Sequence, residues 1–170
     1  MQDGIDDAFG HWLAGFTDGE ACFEIKRIQG PQTASYICRM TIGLRIDDRP
    51  ILDEIARRTG LGTITISTAQ SKHGTYYTPG RGDQARWEVS RKREVAKLAA
   101  IYERYPLRAK KRQDFEIWKR AVVIWMTINR VGSIKQDWTE MLQLRDALKT
   151  GRKLTLFRSR SLCVPWSSSS

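Results

Sequence analysis

From Phe9 onward, apolar residues return at helical spacing: Phe9, Leu13 and Phe16 fall at i, i+4 and i+7, with Trp12 beside them. Gly10, Ala14 and Gly15 put small residues on the same helix, which lets another backbone come close. Gly19 follows the last periodic residue, a place where a glycine usually ends a helix. The period then drops to two. Within Ala21 to Ile28, Phe23 and Ile25 point one way while Cys22, Glu24 and Lys26 point the other. After a polar turn from Gln29 to Ser35, the chain alternates again from Tyr36 to Ile46. Cys38, Met40, Ile42, Leu44 and Ile46 point inward there, and Arg39, Thr41, Gly43 and Arg45 outward. The two runs predict a hairpin with one buried face and one exposed polar face.

Asp47-Asp48-Arg49-Pro50 starts a second helix, with acidic capping residues and proline in the first turn. Its buried stripe is Ile51, Leu52, Ile55 and Ala56, and Gly60 closes it. Leu61 to Thr68 is a third strand, with Ile64 and Ile66 inward and Thr63, Thr65 and Ser67 outward. A polar stretch from Ala69 to Asp83 makes a long loop at a hairpin tip. Gln84 to Ser90 is the fourth strand, with Ala85, Trp87 and Val89 inward and Arg86, Glu88 and Ser90 outward. Arg91 to Tyr105 returns to helical spacing through Val95, Leu98, Ala99 and Tyr102. A long helix over Ala109 to Asn129 follows, with Phe115, Trp118, Val122, Trp125 and Met126 as its apolar stripe. A last helix starts at Ser133 or Lys135, buries Trp138, Met141, Leu142, Leu144 and Leu148, and ends near Gly151.

The order is therefore α-β-β-α-β-β-α with further C-terminal helices, an α+β chain. One antiparallel sheet carries its helices on one side and leaves its other, polar face free. No break in composition and no repeat divides residues 1–151, which read as a single domain. Residues 152–170 form a basic, then serine-rich tail, expected to be partly mobile.

Charge narrows the partner. The 170 residues carry a net charge of +10, with a pI near 9.9, which favours a polyanion: nucleic acid or an anionic membrane surface. No apolar run is long enough to span a bilayer, and the N-terminus is acidic, without the pattern of a signal peptide. The three cysteines, Cys22, Cys38 and Cys163, form no CxxC pair and are scattered, which fits a reducing intracellular setting and argues against zinc. The basic residues are spread over strands and loops and do not form one face of an amphipathic helix, so nucleic acid is favoured over a membrane. The outward strand residues Lys26, Arg39, Thr41, Arg45, Thr63, Thr65, Ser67, Arg86 and Ser90 form a basic, hydrogen-bonding surface. Arg and Lys side chains reach guanine O6 and N7, while Glu24 and Glu88 can accept from cytosine N4.

The first helix ends on two carboxylates, Asp18 and Glu20. Unpaired carbonyls already make a helix C-terminus electronegative, so bare acids there are unfavourable and a bound cation would resolve the conflict. The run Leu13-Ala-Gly-Phe-Thr-Asp-Gly-Glu-Ala21 resembles the motif that names the LAGLIDADG homing endonucleases, matching Leu, Ala, Gly, Asp and Gly in register. The eighth motif position, normally an acid that binds a divalent metal, is Glu20. The ninth, usually glycine, is Ala21. The predicted element order is also the core of that fold.

The resemblance implies more than the residues alone. It implies that the polar sheet face lies in the major groove of double-stranded DNA. It also implies that Glu20 and the Gly19 carbonyl bind Mg²⁺, with Mn²⁺ as a substitute, and that a lysine enters the active site from Tyr105-Pro-Leu-Arg-Ala-Lys-Lys-Arg112. Lys111 fits the family spacing best and Lys110 second. The family's water-positioning glutamine has no counterpart near Ile46 and Asp47. With the motif present once, the resemblance further implies a homodimer in which Gly10, Ala14 and Gly15 let two motif helices pack, and a pseudo-palindromic target. No small-molecule cofactor is implied. The expected setting is intracellular, cytoplasmic with the nucleoid or organellar. The competing expectation is a cleavage-silent relative: an RNA-binding intron maturase or a DNA-binding regulator.

Overall fold

The computed structural model describes residues 5–29, 34–68, 82–128 and 138–150. The elements run α1 (Asp7–Glu20), β1 (Ala21–Gln29), β2 (Ala34–Arg45), a single 3-10 turn (Ile46–Asp48), α2 (Arg49–Thr59), β3 (Thr63–Ser67), β4 (Gln84–Val89), α3 (Lys92–Arg104), α4 (Lys111–Thr127) and α5 (Thr139–Thr150). The expected order holds throughout. The hairpin-tip loop, the start of the last helix and the C-terminal tail lie largely or wholly outside the described residues.

All strand pairs are antiparallel and the spatial order is β1-β2-β4-β3. The burial follows the alternation. Phe23 and Ile25 on β1, Cys38, Met40 and Ile42 on β2, and Ala85, Trp87 and Val89 on β4 are all buried under the helices. Leu52, Ile55, Val95, Leu98, Tyr102, Phe115, Trp118 and Met141 close the core from the helical side. Burying side chains of this size stabilises the fold by about 1.5–3 kcal/mol each. An aromatic cluster joins the layers: Phe23 packs against Tyr102, Phe115 and Trp118 with ring centroids 5.1–6.2 Å apart.

Three expectations are corrected. Ile66 does lie on the helix-covered side, opposite Ala85, but it is 49% exposed because β3 is an edge strand that runs out beyond the helices. Leu142 is exposed as well, while α5 buries Met141 and Leu144 as expected and Ala147 beside them. On α1 the buried stripe runs through Phe9, Leu13 and Thr17, so Trp12 is 43% exposed and Phe16 only partly buried. Thr17 is fully buried and shares a 2.7 Å hydrogen bond with the Tyr102 hydroxyl of α3. Burial keeps the Tyr102 phenol protonated, its pKa pushed well above the usual range.

Two glycines have backbone reasons. Gly60 ends α2 in the left-handed region at φ 65°, its N–H donating to the Ala56 carbonyl. Gly62, at φ 76°, lets β3 start against Trp87, where a Cβ would lie 2.5 Å from the indole nitrogen. That indole N–H donates to the Leu61 carbonyl at 2.8 Å.

Candidate functional site

α1 is capped at its start by Asp6, whose carboxylate accepts the Phe9 N–H at 2.8 Å. This bond, then the Arg58 guanidinium, holds the Asp6 carboxyl below the usual range. At the other end Gly19 stays helical and Glu20 is the last helical residue. The expected glycine stop is thus replaced by a direct change of direction, because Ala21 is already extended and paired with Ile42 in the sheet. Its N–H closes the helix on the Thr17 carbonyl. Glu20 is exposed and, among the described residues, has no hydrogen-bond or ion-pair partner.

Asp18 behaves differently from Glu20. One of its oxygens accepts the backbone N–H groups of Arg108 and Ala109 at 2.7 and 3.1 Å. The electrostatic conflict at this helix end is therefore half resolved by the chain itself, which the sequence reading missed. At the opposite end of α1, Asp7 accepts from the Tyr105 hydroxyl at 2.8 Å and from Arg104 at 3.0 Å. Those contacts hold its carboxyl below the usual range, the tyrosine hydrogen bond most of all. The connection between α3 and α4 is thus tied to α1 at both ends. The stretch of α1 from Asp7 to Asp18 rises about 16 Å, and the extended span from Tyr105 to Ala109 covers about 13–14 Å. The connection therefore runs alongside the helix, with Tyr105 and Leu107 buried beneath it. It leads to Lys110, exposed, and Lys111, the partly buried first residue of α4, one and two residues past the Ala109 N–H that Asp18 holds.

The outer sheet face assembles in rows. Cys22, Thr41, Glu88 and Thr63 are successive cross-strand partners across all four strands. Gly43, Arg86 and Thr65 form the next row, and Arg45, Gln84 and Ser67 the one after. Gln84 on this face was not singled out from sequence, because it opens the strand at the loop's edge. Arg86 and Lys26 are exposed, and Arg45 makes an exposed 3.6 Å ion pair with Asp47. Ser90 lies one residue beyond the end of β4. Arg39 is not a solitary cation. It lies between Glu24 and Glu88, with N···O distances of 2.5 and 3.2 Å.

The outer side of α1 carries Ala8, His11, Trp12, Gly15 and Gly19, all exposed. Trp12 stacks on Phe9 and Phe16 at centroid distances of 5.4 and 5.2 Å. Gly15 is open, with nothing within 4 Å of an added Cβ, and together with the buried Ala14 it lines a cleft shared with His11, Asp18, Pro106 and Arg108. Gly10 does not face outward. A Cβ there would lie 2.4 Å from the Tyr105 ring, so its smallness serves packing within the chain, a correction to its expected place between two helices.

Among the described residues, no group of three or more His, Cys, Asp or Glu side chains is placed to hold a metal, and no helix is long and apolar enough to cross a membrane. What the end of α1 offers is one unpaired carboxylate and neighbouring backbone carbonyls. That donor set suits a hard cation that keeps most of its water and takes further oxygens from a phosphate.

Comparison with known proteins agrees with the fold. The chain resembles the probable intron-encoded endonuclease Cox1-I1b of Schizosaccharomyces pombe, 28% identical over 120 residues; the match covers 69% of this chain and 28% of that protein, so the chain spans little more than a quarter of its relative. Among solved structures, it superimposes on the I-LtrWI LAGLIDADG homing endonuclease bound to target DNA with a TM-score of 0.70 at 18% identity, covering 85% of this chain and 45% of that one. The homing endonuclease I-TnaI matches with a TM-score of 0.57 at 19% identity, over 69% of this chain and 73% of that one. The model of the LAGLIDADG endonuclease family matches residues 13–122, from the first residue of the motif to the middle of α4. That match spans well over half of the sequence, and the chain belongs to the LAGLIDADG endonuclease family.

Proposed function

We propose that this chain acts as a homodimeric, divalent-metal-dependent DNA endonuclease that cuts both strands of a long, pseudo-palindromic target. The observation that carries the reading is the tie between Asp18 and the backbone of Arg108 and Ala109. It holds the segment bearing Lys110 and Lys111 against the helix end bearing the unpaired Glu20. Family membership and the DNA-bound state of the neighbour I-LtrWI support the substrate.

The outer sheet face lies in the major groove and reads base edges, while the net charge of +10 draws the protein onto the phosphates. Glu20 and the Gly19 carbonyl are the residues that hold Mg²⁺, or Mn²⁺ in its place. When bound, the metal supplies a water nucleophile at neutral pH and neutralises charge at the phosphate. Glu20 lies in the unfavourable field of its own helix end, which sharpens its affinity for a cation. Lys111, with Lys110 next to it, contributes a fixed positive charge toward the oxygens that gain charge as the phosphodiester breaks. One Glu20 serves one strand. A second copy, packed through the open Gly15 face of α1, supplies the second and makes the two cuts symmetric. Such an enzyme works in an intracellular compartment that holds DNA.

The test is Glu20→Gln. This change keeps the shape of the side chain and removes its charge, so cutting should be lost while DNA affinity changes little. A Glu20→Gln protein that still cuts would rule Glu20 out as the metal ligand. A wild-type protein that binds DNA or RNA tightly and never cuts would point to a regulator or maturase.

A further inference from the structure

At the centre of the outer sheet face, three strands each contribute one charged side chain to a single line. Glu24 of β1 lies directly opposite Arg39 of β2, and Glu88 of β4 is diagonal to it, paired in register with Thr41. The Arg39 Nε–H donates to Glu24 Oε2 and Nη1 donates to Glu88 Oε2 at 3.2 Å. These side chains are only 22%, 40% and 26% exposed for Arg39, Glu24 and Glu88, so the group is half sunk into the face. The backbone beneath it is also held. Arg39 is paired with Glu24 across the β1–β2 register, and the Trp118 indole N–H of α4 donates to the Arg39 carbonyl at 3.1 Å.

The bonding leaves a definite set of groups for a ligand. Both carboxylates spend Oε2 on Arg39, and among the described residues Oε1 of each is uncommitted, as are Nη2 and one N–H of Nη1. Across the strands the face therefore presents acceptor, two donors, acceptor. With Glu88 offset by two residues along its strand, the backbone span of the line is roughly 12 Å, about the width of a major groove. The edge of a G·C pair shows N7 and O6 as acceptors and then cytosine N4–H as donor, which meets two donors and one flanking acceptor of this line. An A·T pair places its N6–H donor between two acceptors, N7 and thymine O4. It would set a donor against the guanidinium and an oxygen against a carboxylate.

We infer that Glu24, Arg39 and Glu88 act as one preformed reading unit that selects a G·C pair at one position of each half-site. The unit accepts that pair in either orientation because a carboxylate stands on both sides. It rests on the proposed placement of this face in DNA. Arg39 thus carries specificity together with its two acids, and its net contribution to attraction for phosphate is small, since the three charges sum to −1.

The experiment is competitive binding in EDTA, so that cutting does not interfere. The folded protein is tested on a library in which every position of a selected target is varied, with wild type, Glu24→Gln, Glu88→Gln and Arg39→Gln compared. Wild type should demand G·C at one position per half-site. Arg39→Gln should relax that demand by about 5- to 150-fold, the span expected for loss of a bidentate contact, and leave other positions unchanged. Each glutamine variant of the acids should relax the same position more weakly and in one orientation of the pair. The inference is overturned if the acid variants merely tighten binding to all sequences alike, for the carboxylates would then only repel phosphate. An unchanged profile in all three variants also overturns it. Because the two acid variants remove charge from a half-exposed site, they test the idea even if Arg39→Gln, which leaves two acids facing each other, does not fold. Absence of wild-type binding to any DNA would overturn the placement of the face itself, and this inference with it.

Discussion

The buried hydrogen bond between Thr17 and Tyr102 fastens the motif helix to α3, and its strength can be worked out from its surroundings. Thr17 is fully buried, Tyr102 is 1% exposed, and their oxygens lie 2.7 Å apart. Thr17→Val keeps the shape of the side chain but leaves the tyrosine hydroxyl dry and unpaired. Tyr102→Phe does the converse to the threonine. Each single change should cost about 1–3 kcal/mol, the desolvation penalty of an orphaned buried group. For a chain of this size that lowers Tm by roughly 2–12 °C. The double variant removes both polar groups and should return to within about 1 kcal/mol of wild type, so the two changes are coupled and not additive. Urea unfolding of the four proteins measures the cycle. Additive costs, or single variants as stable as wild type, would refute the claim that this bond holds the motif helix in place.

Other changes separate packing from function. Asp18→Ala should release the Arg108 and Ala109 N–H groups, lower cutting and leave DNA affinity nearly intact, because only the position of the lysines moves; parallel cleavage and binding assays check it. Gly10→Ala should destabilise each protomer by about 1–3 kcal/mol through its collision with Tyr105, whereas Gly15→Ala should stabilise it by up to about 1 kcal/mol while weakening self-association, read by denaturation and sedimentation. Burial pushes the Cys38 thiol up to about 12, from an ordinary value of 9.0. Its folded pKa is raised, so its contribution to stability is complete below pH 9 and is lost as pH climbs from there toward about 12. In a Cys163→Ser background a thiol reagent at pH 8 should modify exposed Cys22 at once and Cys38 only on unfolding.

The strands could be read from the sequence because one face of each is buried, so period-two alternation maps straight onto the core. This worked for β1, β2 and β4 and fell short at Ile66, which alternates onto the helix side of the edge strand β3 and is still half exposed. What depended on contacts distant in sequence could not be read. Gly10 looked like a helix-packing residue because its real neighbour, Tyr105, is far along the chain. Thr17 looked like an ordinary helical residue because nothing local points to Tyr102. The site showed the same division. The place of Glu20 at an exposed helix end was legible from the local sequence. The role of Asp18 required knowing that the segment after α3 runs beside α1. Glu24, Arg39 and Glu88 were each visible as outward residues, but their union depends on the strand order β1-β2-β4, which alternation alone does not specify.

In the proposed function, two copies of this chain bring two Glu20 carboxylates to one DNA site and cut it with the help of a divalent cation. The most direct measurement is a cleavage selection: purified protein, a randomised pseudo-palindromic duplex library, and Mg²⁺ compared with EDTA. Double-strand cuts are expected in Mg²⁺ alone, at one long and roughly symmetric sequence. Cuts that persist in EDTA, or tight binding with no cuts in any divalent metal, would contradict it.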